Sequence, residues 1–464
     1  MNFRVQQVVP LRTSVVSAAL LLMLTPVTAW VNTKSLPEPM TLEYALGLTD
    51  EAHADIEQAQ AAVDLAEAEK QQVQSDVGTQ ISLEGKLRWV DPNDQFSNQS
   101  RNDSQATAAV RKPLWDFGRT RARRQAADFV IQSKKGLLID VRSQRRIEIM
   151  AAYFAVMLTD LKYARDDELM AVAYVRSDQI KKSHELGQVA AVEHAKAQSE
   201  YQATRRVRYE SDVQRRISRA RLAELLHRPG QLSDILTLPN LPQNKTVLLE
   251  DPDPLIAEAV KANPRLHALR AAVEASRLQV IAARREGLPV VEGEIEAGTY
   301  ARDFSARDDA RVGISFRVPL YTGGKVKAQI AKAQAHYRNL RANLDKQEGV
   351  VRQAALEVQQ NIYVLKAKQD EMKTLEEYRS WYIDYNRALY ELDVKSDLGD
   401  AMAKQTDAKL QKIKTEFELA LSWAQLDALL GKPVFPSADL IQTKPLAPTL
   451  PATKTRVPNK TSGD

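Results

Sequence analysis

The sequence carries one strand-to-helix signature twice, and this internal repeat constrains the fold more than any other feature. Residues 112–122 read KPLWDFGRTRA, and residues 318–328 read VPLYTGGKVKA. Further matching segments lie on both sides of this pair, at spacings of about 204 to 210 residues. A spacing that drifts so little indicates two copies of one unit rather than chance similarity. We therefore expect two equivalent halves.

The repeat and its flanks predict five segments. These are a signal peptide (1–29), a first repeat (30–227), a linker (228–253), a second repeat (254–431) and a Pro-, Thr- and Lys-rich tail (432–464) that we expect to be disordered. Each repeat should hold a helix, a β-hairpin and a long helical hairpin. The helices are predicted at about 41–75 and 254–286, and the β-hairpins at about 79–115 and 289–321.

The N-terminal residues predict export. Arg4 and Arg12 precede the apolar run VVSAALLLML, and Val27-Thr28-Ala29 forms a small-residue cleavage site. The apolar run is only half as long as a membrane-spanning helix requires. The chain has no Cys, so disulfides, thiolate metal sites and lipidation at Cys are excluded.

The charge distribution argues against a nucleic-acid partner. The net charge is +5, but residues 1–29 contribute +2 and residues 432–464 contribute +3, which leaves the body near zero. A basic stretch near the end of the first repeat is interrupted by Glu210, Asp212 and Glu224. We interpret it as a solvated helix face, since a body that binds a duplex should be basic on one side.

The predicted strands alternate apolar and polar residues over about ten positions. Ile81, Leu83 and Leu87 alternate with polar residues in the first strand, and Ile314 and Phe316 do so in the last. In an exported protein this alternation is typical of transmembrane strands, with lipid on one side and water on the other. The same strands would also suit two surface hairpins of a soluble sandwich. We favour the membrane interpretation. Four strands cannot close a barrel around a water-filled lumen, and open sheet edges are costly in lipid, so three chains would supply twelve strands to one barrel.

Two long segments without Pro predict long helices. They run from about residue 119 to 183 and from 325 to 391. About 65 residues at ~1.5 Å each give a rod of roughly 100 Å, too long for a single globular core. The predicted fold class is a mixed α+β membrane protein: a trimeric 12-stranded transmembrane β-barrel, four strands per chain, continued by a long periplasmic α-helical barrel.

The residues between strand and helix suggest where the membrane ends. Gly118 and Gly324 should permit the sharp turn, and Trp115 and Tyr321 should lie at the membrane interface. The stretch TGGKV lacks the flanking residues of a phosphate-binding loop, so we expect no nucleotide site.

Residues 40–433 resemble the TolC family of outer-membrane efflux and secretion channels. The resemblance rests on the duplicated junction, on the helix NPRLHALRAAVEASRLQVIAARREGLP, and on the turns ELGQVAAVEHAKAQ and ELDVKSDLGDAMAKQ. It implies a homotrimer that spans the outer membrane and extends into the periplasm. It also implies a passive duct, opened at its periplasmic tip by an adaptor and an inner-membrane pump of RND or ABC type.

The resemblance also suggests roles for residues of the two turns. The implied adaptor contacts are Leu186, Gly187, Gln188, Val189, Leu392, Asp393 and Val394. Lys395 matches a basic gate residue and Glu193 an acidic position. The family's acidic rings fall here on Gly399 and Met402, which carry no charge. Asp397 and Asp400 lie nearby and are the substitutes that we expect.

Other functions find less support in the sequence. His184, Glu185, Glu193 and His194 flank the first turn at spacings that could chelate a metal, but solvated side chains explain them as well. No arrangement typical of an active site stands out, so we expect no enzyme and no cofactor. The alternative function is a non-membrane periplasmic coiled-coil adaptor or structural protein. The cargo (drugs, metals or proteins) is not predicted.

Overall fold

The structure is a computed structural model, and it describes most of the chain between residues 36 and 435. The described residues are 36–50, 53–91, 100–231, 235–239, 241, 251–301, 308–392 and 397–435. The predicted signal peptide and all but the first residues of the predicted tail lie outside them. Within the described ranges, none of the helices combines the length and the apolar character that crossing a membrane requires.

Helices and strands follow one another in the same order in both halves. They are α1 (Leu42–Gly47), a 3-10 turn (Leu48–Asp50), α2 (Ala54–Ser75), β1 (Gln80–Lys86), β2 (Gln105–Trp115), α3 (Arg119–Glu185), α4 (Ala191–Leu225), α5 (Asp253–Ala262), α6 (Pro264–Arg285), β3 (Val290–Tyr300), β4 (Ala310–Arg317), α7 (Lys325–Glu391) and α8 (Leu398–Leu429).

The prediction of a single helix at 254–286 is wrong, because the helix is interrupted at Asn263. There the backbone is extended, and the Asn263 side chain accepts a hydrogen bond from the Leu266 N–H at 3.1 Å. Proline disfavours the helical conformation in the residue before it, and Pro264 is well suited to the first turn of the new helix. The helix predicted at 41–75 is also interrupted: α1 ends at Gly47, a 3-10 turn spans Leu48–Asp50, and α2 begins at Ala54.

The two longest helices organise the rest of the chain. α3 and α7 each span 67 residues, which corresponds to about 100 Å. Near the strands the helices contact one another in the order α2, α3, α6, α7, and at the far end in the order α4, α3, α8, α7. The chain thus forms a curtain of four helices, with α2 and α4 along one edge and α7 along the other.

One cluster of the core lies where α5 to α8 meet. Ile362 and Leu266 are fully buried there, and apolar side chains of all four helices surround them. Between the two halves, Phe154 of α3 stacks on Phe417 of α8, with ring centroids 4.1 Å apart. The Tyr153 hydroxyl donates to the carbonyls of Met40 and Thr237, which ties the chain around α1 to α3.

The four strands form one antiparallel sheet in the order β1-β2-β3-β4. β2 and β3 come from different halves of the chain and pair along most of their length. β1 and β4 are therefore the edges of the sheet. Each edge presents a row of N–H and C=O groups that no described residue of this chain pairs.

Candidate functional site

One face of the sheet is apolar and faces outward. The register places Ile81, Val110, Ile295 and Val312 in one row across all four strands. The side chains of this face are highly exposed, for example Leu83 at 83%. Such a continuous apolar surface is unusual on a water-soluble protein and marks contact with an apolar partner or with lipid.

The opposite face is polar and, in the central strands β2 and β3, more buried than the apolar face. Three glutamates of β3 each pair with an arginine on a neighbouring strand: Glu294 with Arg111 at 2.8 Å, Glu296 with Arg311 at 2.7 Å, and Glu292 with Arg317 at 3.8 Å.

Small residues between these pairs are buried, with Thr107 at 9% and Ala109 at 7% exposure. In its two central strands the sheet therefore reverses the usual arrangement of a soluble protein, since the polar side is the more buried and the apolar side the more exposed.

A β-bulge determines which face Trp115 occupies. The register shifts between Pro113 and Trp115, so that Trp115 lies opposite Val291. Val291 belongs to the apolar face, because it pairs with Phe316. Strict alternation from Val110 would have placed Trp115 on the polar face. The bulge turns it outward, at 61% exposure, to the end of the apolar band.

Both junction glycines adopt the left-handed conformation just before a long helix. Gly118 has φ 80° and ψ 15°, and Gly324 has φ 81° and ψ −3°. At the first junction the Arg285 guanidinium also donates to the Gly118 carbonyl at 2.7 Å. Tyr321, the second predicted interface aromatic, is highly exposed before Gly324.

Asp116 fixes the first junction, and sequence reasoning missed it. Its carboxylate accepts from the backbone N–H of Gly118 at 3.0 Å and of Thr120 at 2.7 Å. Burial by itself would raise the pKa of Asp116, but the hydrogen bonds from Thr120 and Gly118 outweigh it and leave the pKa lowered. The signal was an Asp just before a basic helix, which is a common N-terminal capping arrangement.

The first tip, between α3 and α4, is a short exposed turn. Leu186, at 73% exposure, Gly187 and Gln188 are exposed, whereas Val189 is half-buried. The Val189 carbonyl lies 2.8 Å from Nδ1 of His184.

The ring of His184 stacks on that of His194, with centroids 5.4 Å apart. Glu185 and Glu193 are exposed. The described residues contain no group of three side chains arranged to hold a metal ion.

The second tip is described only in part. Asp393, Val394 and Lys395 lie outside the described residues. Leu392 is exposed at the end of α7, and Asp397 precedes α8, where its N–H donates to the Asn386 side chain at 3.3 Å.

Asp400 and Gly399 differ in their surroundings. Asp400 pairs with Lys404 at 2.5 Å, and this hydrogen bond raises the pKa of Lys404. At Gly399 a Cβ would lie 2.8 Å from Val172 of α3. A charged side chain therefore has no room there while α8 packs this closely on α3. Met402 is exposed.

Comparison with known proteins shows what the chain is similar to. Residues 255–432 match the family described as outer membrane efflux protein. The match covers the second repeat, so this part of the chain is similar to outer membrane efflux proteins. No curated protein sequence matches the chain.

Solved structures of outer-membrane channels share its fold. CusC, whose structures concern folding and transmembrane channel formation, has a TM-score of 0.69 and 15% identity, covering 84% of this chain and 92% of its own. The outer membrane protein VceC from Vibrio cholerae has a TM-score of 0.66 and 15% identity, with 84% and 96% covered. The Campylobacter jejuni CmeC outer membrane channel has a TM-score of 0.66 and 14% identity, with 84% and 85% covered.

A polar link joins the two helical hairpins. Arg165 of α3 donates to Asp407 of α8 at 2.7 Å and also to the buried carboxylate of Asp166. Nearby, the Thr406 hydroxyl donates to Glu168 at 2.8 Å. Sequence reasoning missed this link, because its partners lie more than two hundred residues apart and no local pattern connects them.

Proposed function

We propose that the chain is one subunit of a homotrimeric export channel of the outer membrane. Three sheets would join into a 12-stranded barrel, and three helical curtains into a periplasmic tube. The observation that carries the proposal is the sheet, which turns an exposed apolar face outward, keeps ion pairs on its inner face and leaves both edges open. Such a sheet is one sector of a barrel wall around a water-filled lumen.

The open edges require identical neighbours. Unpaired N–H and C=O groups in lipid cost several kcal/mol each, so the β1 edge of one chain must pair with the β4 edge of the next. The helical edges also leave apolar side chains exposed. Tyr209, Val213 and Ile217 lie one turn apart on α4, and Trp381 and Tyr385 on α7. Contact between the α4 edge of one chain and the α7 edge of the next would close the tube with the same threefold symmetry as the barrel.

The duplicated sequence explains how one chain contributes a symmetric sector. We propose that α2 to α4 and α6 to α8 descend from one unit, so that each repeat supplies a β-hairpin and a helical hairpin. The equal length of α3 and α7 and the same left-handed glycine before each support this proposal. Three duplicated chains would then give a barrel with nearly sixfold internal similarity.

The export duct would be opened at its tips by partners. TolC-family channels work with periplasmic adaptors and inner-membrane pumps, so we propose that the exposed turn of Leu186, Gly187, Gln188 and Val189 contacts the adaptor, with Leu392, Asp393 and Val394 at the second tip. Lys395, Asp397, Asp400 and Glu193 would line the gate. Transport is permeation without chemistry, in which threefold symmetry turns each lumenal charge into a ring.

Conductance of the purified mature protein in planar bilayers tests this function. We expect stepwise channels from the wild type. Ile314→Arg places a charge on the outward face and should abolish insertion, since a lipid-facing Arg costs roughly 2–4 kcal/mol per chain near the midplane.

Ser315→Arg is the matched control, because Ser315 lies opposite Glu292 on the inner face. It should preserve insertion and change only the unit conductance. Equal effects of both substitutions, or a wild type that stays in solution without detergent, would contradict the proposal and favour the alternative of a soluble periplasmic adaptor.

A further inference from the structure

A cavity lies at the junction of β2 and α3, just beyond the apolar band of the sheet. Its volume is about 640 Å³, and its walls include Leu114, Trp115, Phe117, Arg121 and Arg285. All these residues belong to one chain. We propose that this cavity binds the phosphate-bearing headgroup of an anionic phospholipid in the periplasmic leaflet. The inference rests on the proposed membrane insertion and goes beyond it, because it assigns a lipid site to one junction of the two.

The outer wall of the cavity is aromatic. Trp115 and Phe117 meet edge to face, with ring centroids 6.1 Å apart and planes at 79°. Both rings are exposed, and Leu114 is exposed beside them over Gly293 of the apolar face. The aromatic pair thus continues the apolar band to its end. Amphipathic aromatic rings favour this level of a membrane, where acyl chains give way to headgroups.

Phe117 is held in a conformation that its residue type disfavours. Its φ is +54°, in the left-handed region that glycine prefers. At the matching place of the second junction the chain has Gly323, with φ +59°. The first junction therefore retains an aromatic side chain where glycine would be less strained. Such strain at a defined position points to a function of the side chain, and here the side chain completes the aromatic wall.

The inner wall supplies Arg121, and Arg124 lies beside it on α3, outside the cavity lining. Arg119 and Arg123 both pair with Glu286. Arg121 and Arg124, by contrast, are exposed, lie three residues apart on one helix face, and have no ion pair with any described residue. Two guanidinium groups on one side of a helix, free of carboxylates, form a site for a phosphate, which arginine binds through paired N–H groups.

The acid and the second cation of the cavity already hydrogen-bond the backbone. Asp116 accepts from two backbone N–H groups, and Arg285 donates to the Gly118 carbonyl. Asp116 is the single carboxylate among the described residues of the cavity wall. Because its charge is balanced by these donors and by Arg119 at 4.0 Å, it opposes an anion at Arg121 only weakly. The cavity therefore retains a positive balance.

The combination of an aromatic wall and free arginines selects a lipid over a free anion. Inorganic phosphate would use the guanidinium groups but would gain nothing from Trp115 and Phe117. A phospholipid places its acyl chains beside the apolar band and its phosphate at the level of Arg121. Basic residues at a membrane surface attract anionic headgroups by about fivefold in affinity per residue.

The second junction offers a matched control within the same chain. Its aromatic, Tyr321, is followed by Gly323 in place of Phe117, and its cations are Lys325 and Lys327. A lysine is a point charge without the paired donors of arginine. We expect this junction to attract anionic lipid only through its general charge.

Native mass spectrometry of the detergent-purified mature protein tests the site. The probes are phosphatidylglycerol and phosphatidylcholine, offered in equal amounts with and without inorganic phosphate. We expect retained phosphatidylglycerol in the wild type. Two general surface charges contribute roughly 30-fold in affinity, so the Arg121→Gln/Arg124→Gln protein should lose more than that, because these arginines also hydrogen-bond the phosphate. The Lys325→Gln/Lys327→Gln protein should lose at most the general contribution. Equal losses in both would show a general surface charge and overturn the inference.

The Phe117→Gly variant tests the contribution of the aromatic wall to lipid binding separately from the contributions of charge and of folding. This variant keeps every charge and relieves the backbone strain, so it should melt at a higher temperature and yet retain less phosphatidylglycerol. Unchanged lipid retention, or displacement of the lipid by inorganic phosphate, would refute a lipid site. Planar-bilayer conductance of the same proteins distinguishes the two proposals, since loss of the lipid site should leave wild-type channels, whereas a wild type without channels would refute the proposed function.

Discussion

The two junction glycines allow one prediction to be developed in detail. Gly118 and Gly324 have almost the same positive φ, so replacing either with Ala imposes the same conformational strain. Their surroundings differ. A Cβ at Gly118 would lie 2.9 Å from the Arg285 guanidinium, whereas a Cβ at Gly324 would meet nothing within 4 Å. Comparing Gly118→Ala with Gly324→Ala therefore separates the cost of backbone strain from the cost of losing one charged hydrogen bond.

The two costs follow from these contacts. Left-handed backbone costs an L-residue about 1–2 kcal/mol, which is the whole expected effect of Gly324→Ala. Gly118→Ala should add the weakening of the hydrogen bond from Arg285 to the Gly118 carbonyl, at 2.7 Å in the structure. A net hydrogen bond contributes about 1 kcal/mol, so Gly118→Ala should cost about 2–3 kcal/mol.

Urea unfolding in detergent micelles, followed by far-ultraviolet circular dichroism, measures both free energies. In an Arg285→Ala background the two glycine substitutions should cost the same, because the extra contact is gone. The reasoning would be refuted if the two costs were already equal in the wild-type background, or if Gly324→Ala left stability unchanged.

Three further predictions concern packing and charge. Ile362→Ala should cost about 2–5 kcal/mol in urea unfolding, because its side chain is fully buried; a smaller loss than in exposed Val364→Ala would contradict this. Burial raises the pKa of Asp140, against the opposing charge of Arg265. Asp140→Asn should therefore melt higher than wild type at neutral pH, with the difference disappearing as acid protonates Asp140; a lower melting temperature would refute this. Gly399→Asp should destabilise by about 1–3 kcal/mol through overpacking, and unchanged unfolding would contradict it.

Local periodicity predicted much of the fold. The alternation of Ile81 with its neighbours and of Ile314 with its neighbours marks segments that form β1 and β4, because a strand with lipid on one side must repeat every two residues. The absence of Pro predicted α3 and α7 for a similar local reason. The break at Asn263 was missed, although Pro264 was visible, because helical periodicity continues across it.

Contacts between distant segments could not be predicted in the same way. The bulge that turns Trp115 outward depends on the register between β2 and β3, which no local pattern encodes. The link between Arg165 and Asp407 depends on how α8 packs on α3. The same packing explains why Gly399 occupies a position where the family resemblance led us to look for an acid, since Val172 fills the space. The roles proposed for the tip residues remain predictions.

Disulfide cross-linking between the two sheet edges tests the central claim most directly. The chain has no Cys, so Ser82→Cys on β1 can be combined with Gly313→Cys or Ser315→Cys on β4 without competing thiols. Within one chain these strands are three spacings apart, roughly 14 Å, about twice the Cα separation that a disulfide permits. Any bridge must therefore join different chains.

Ser82→Cys with Ala109→Cys is the control, because these residues are direct partners in the sheet and should bridge within one chain. The edge pairs are oxidised in outer membranes and separated on a non-reducing denaturing gel. We predict a ladder that stops at three chains for at least one edge pair. Single chains alone, while the control pair oxidises fully, would contradict a barrel wall shared among identical subunits.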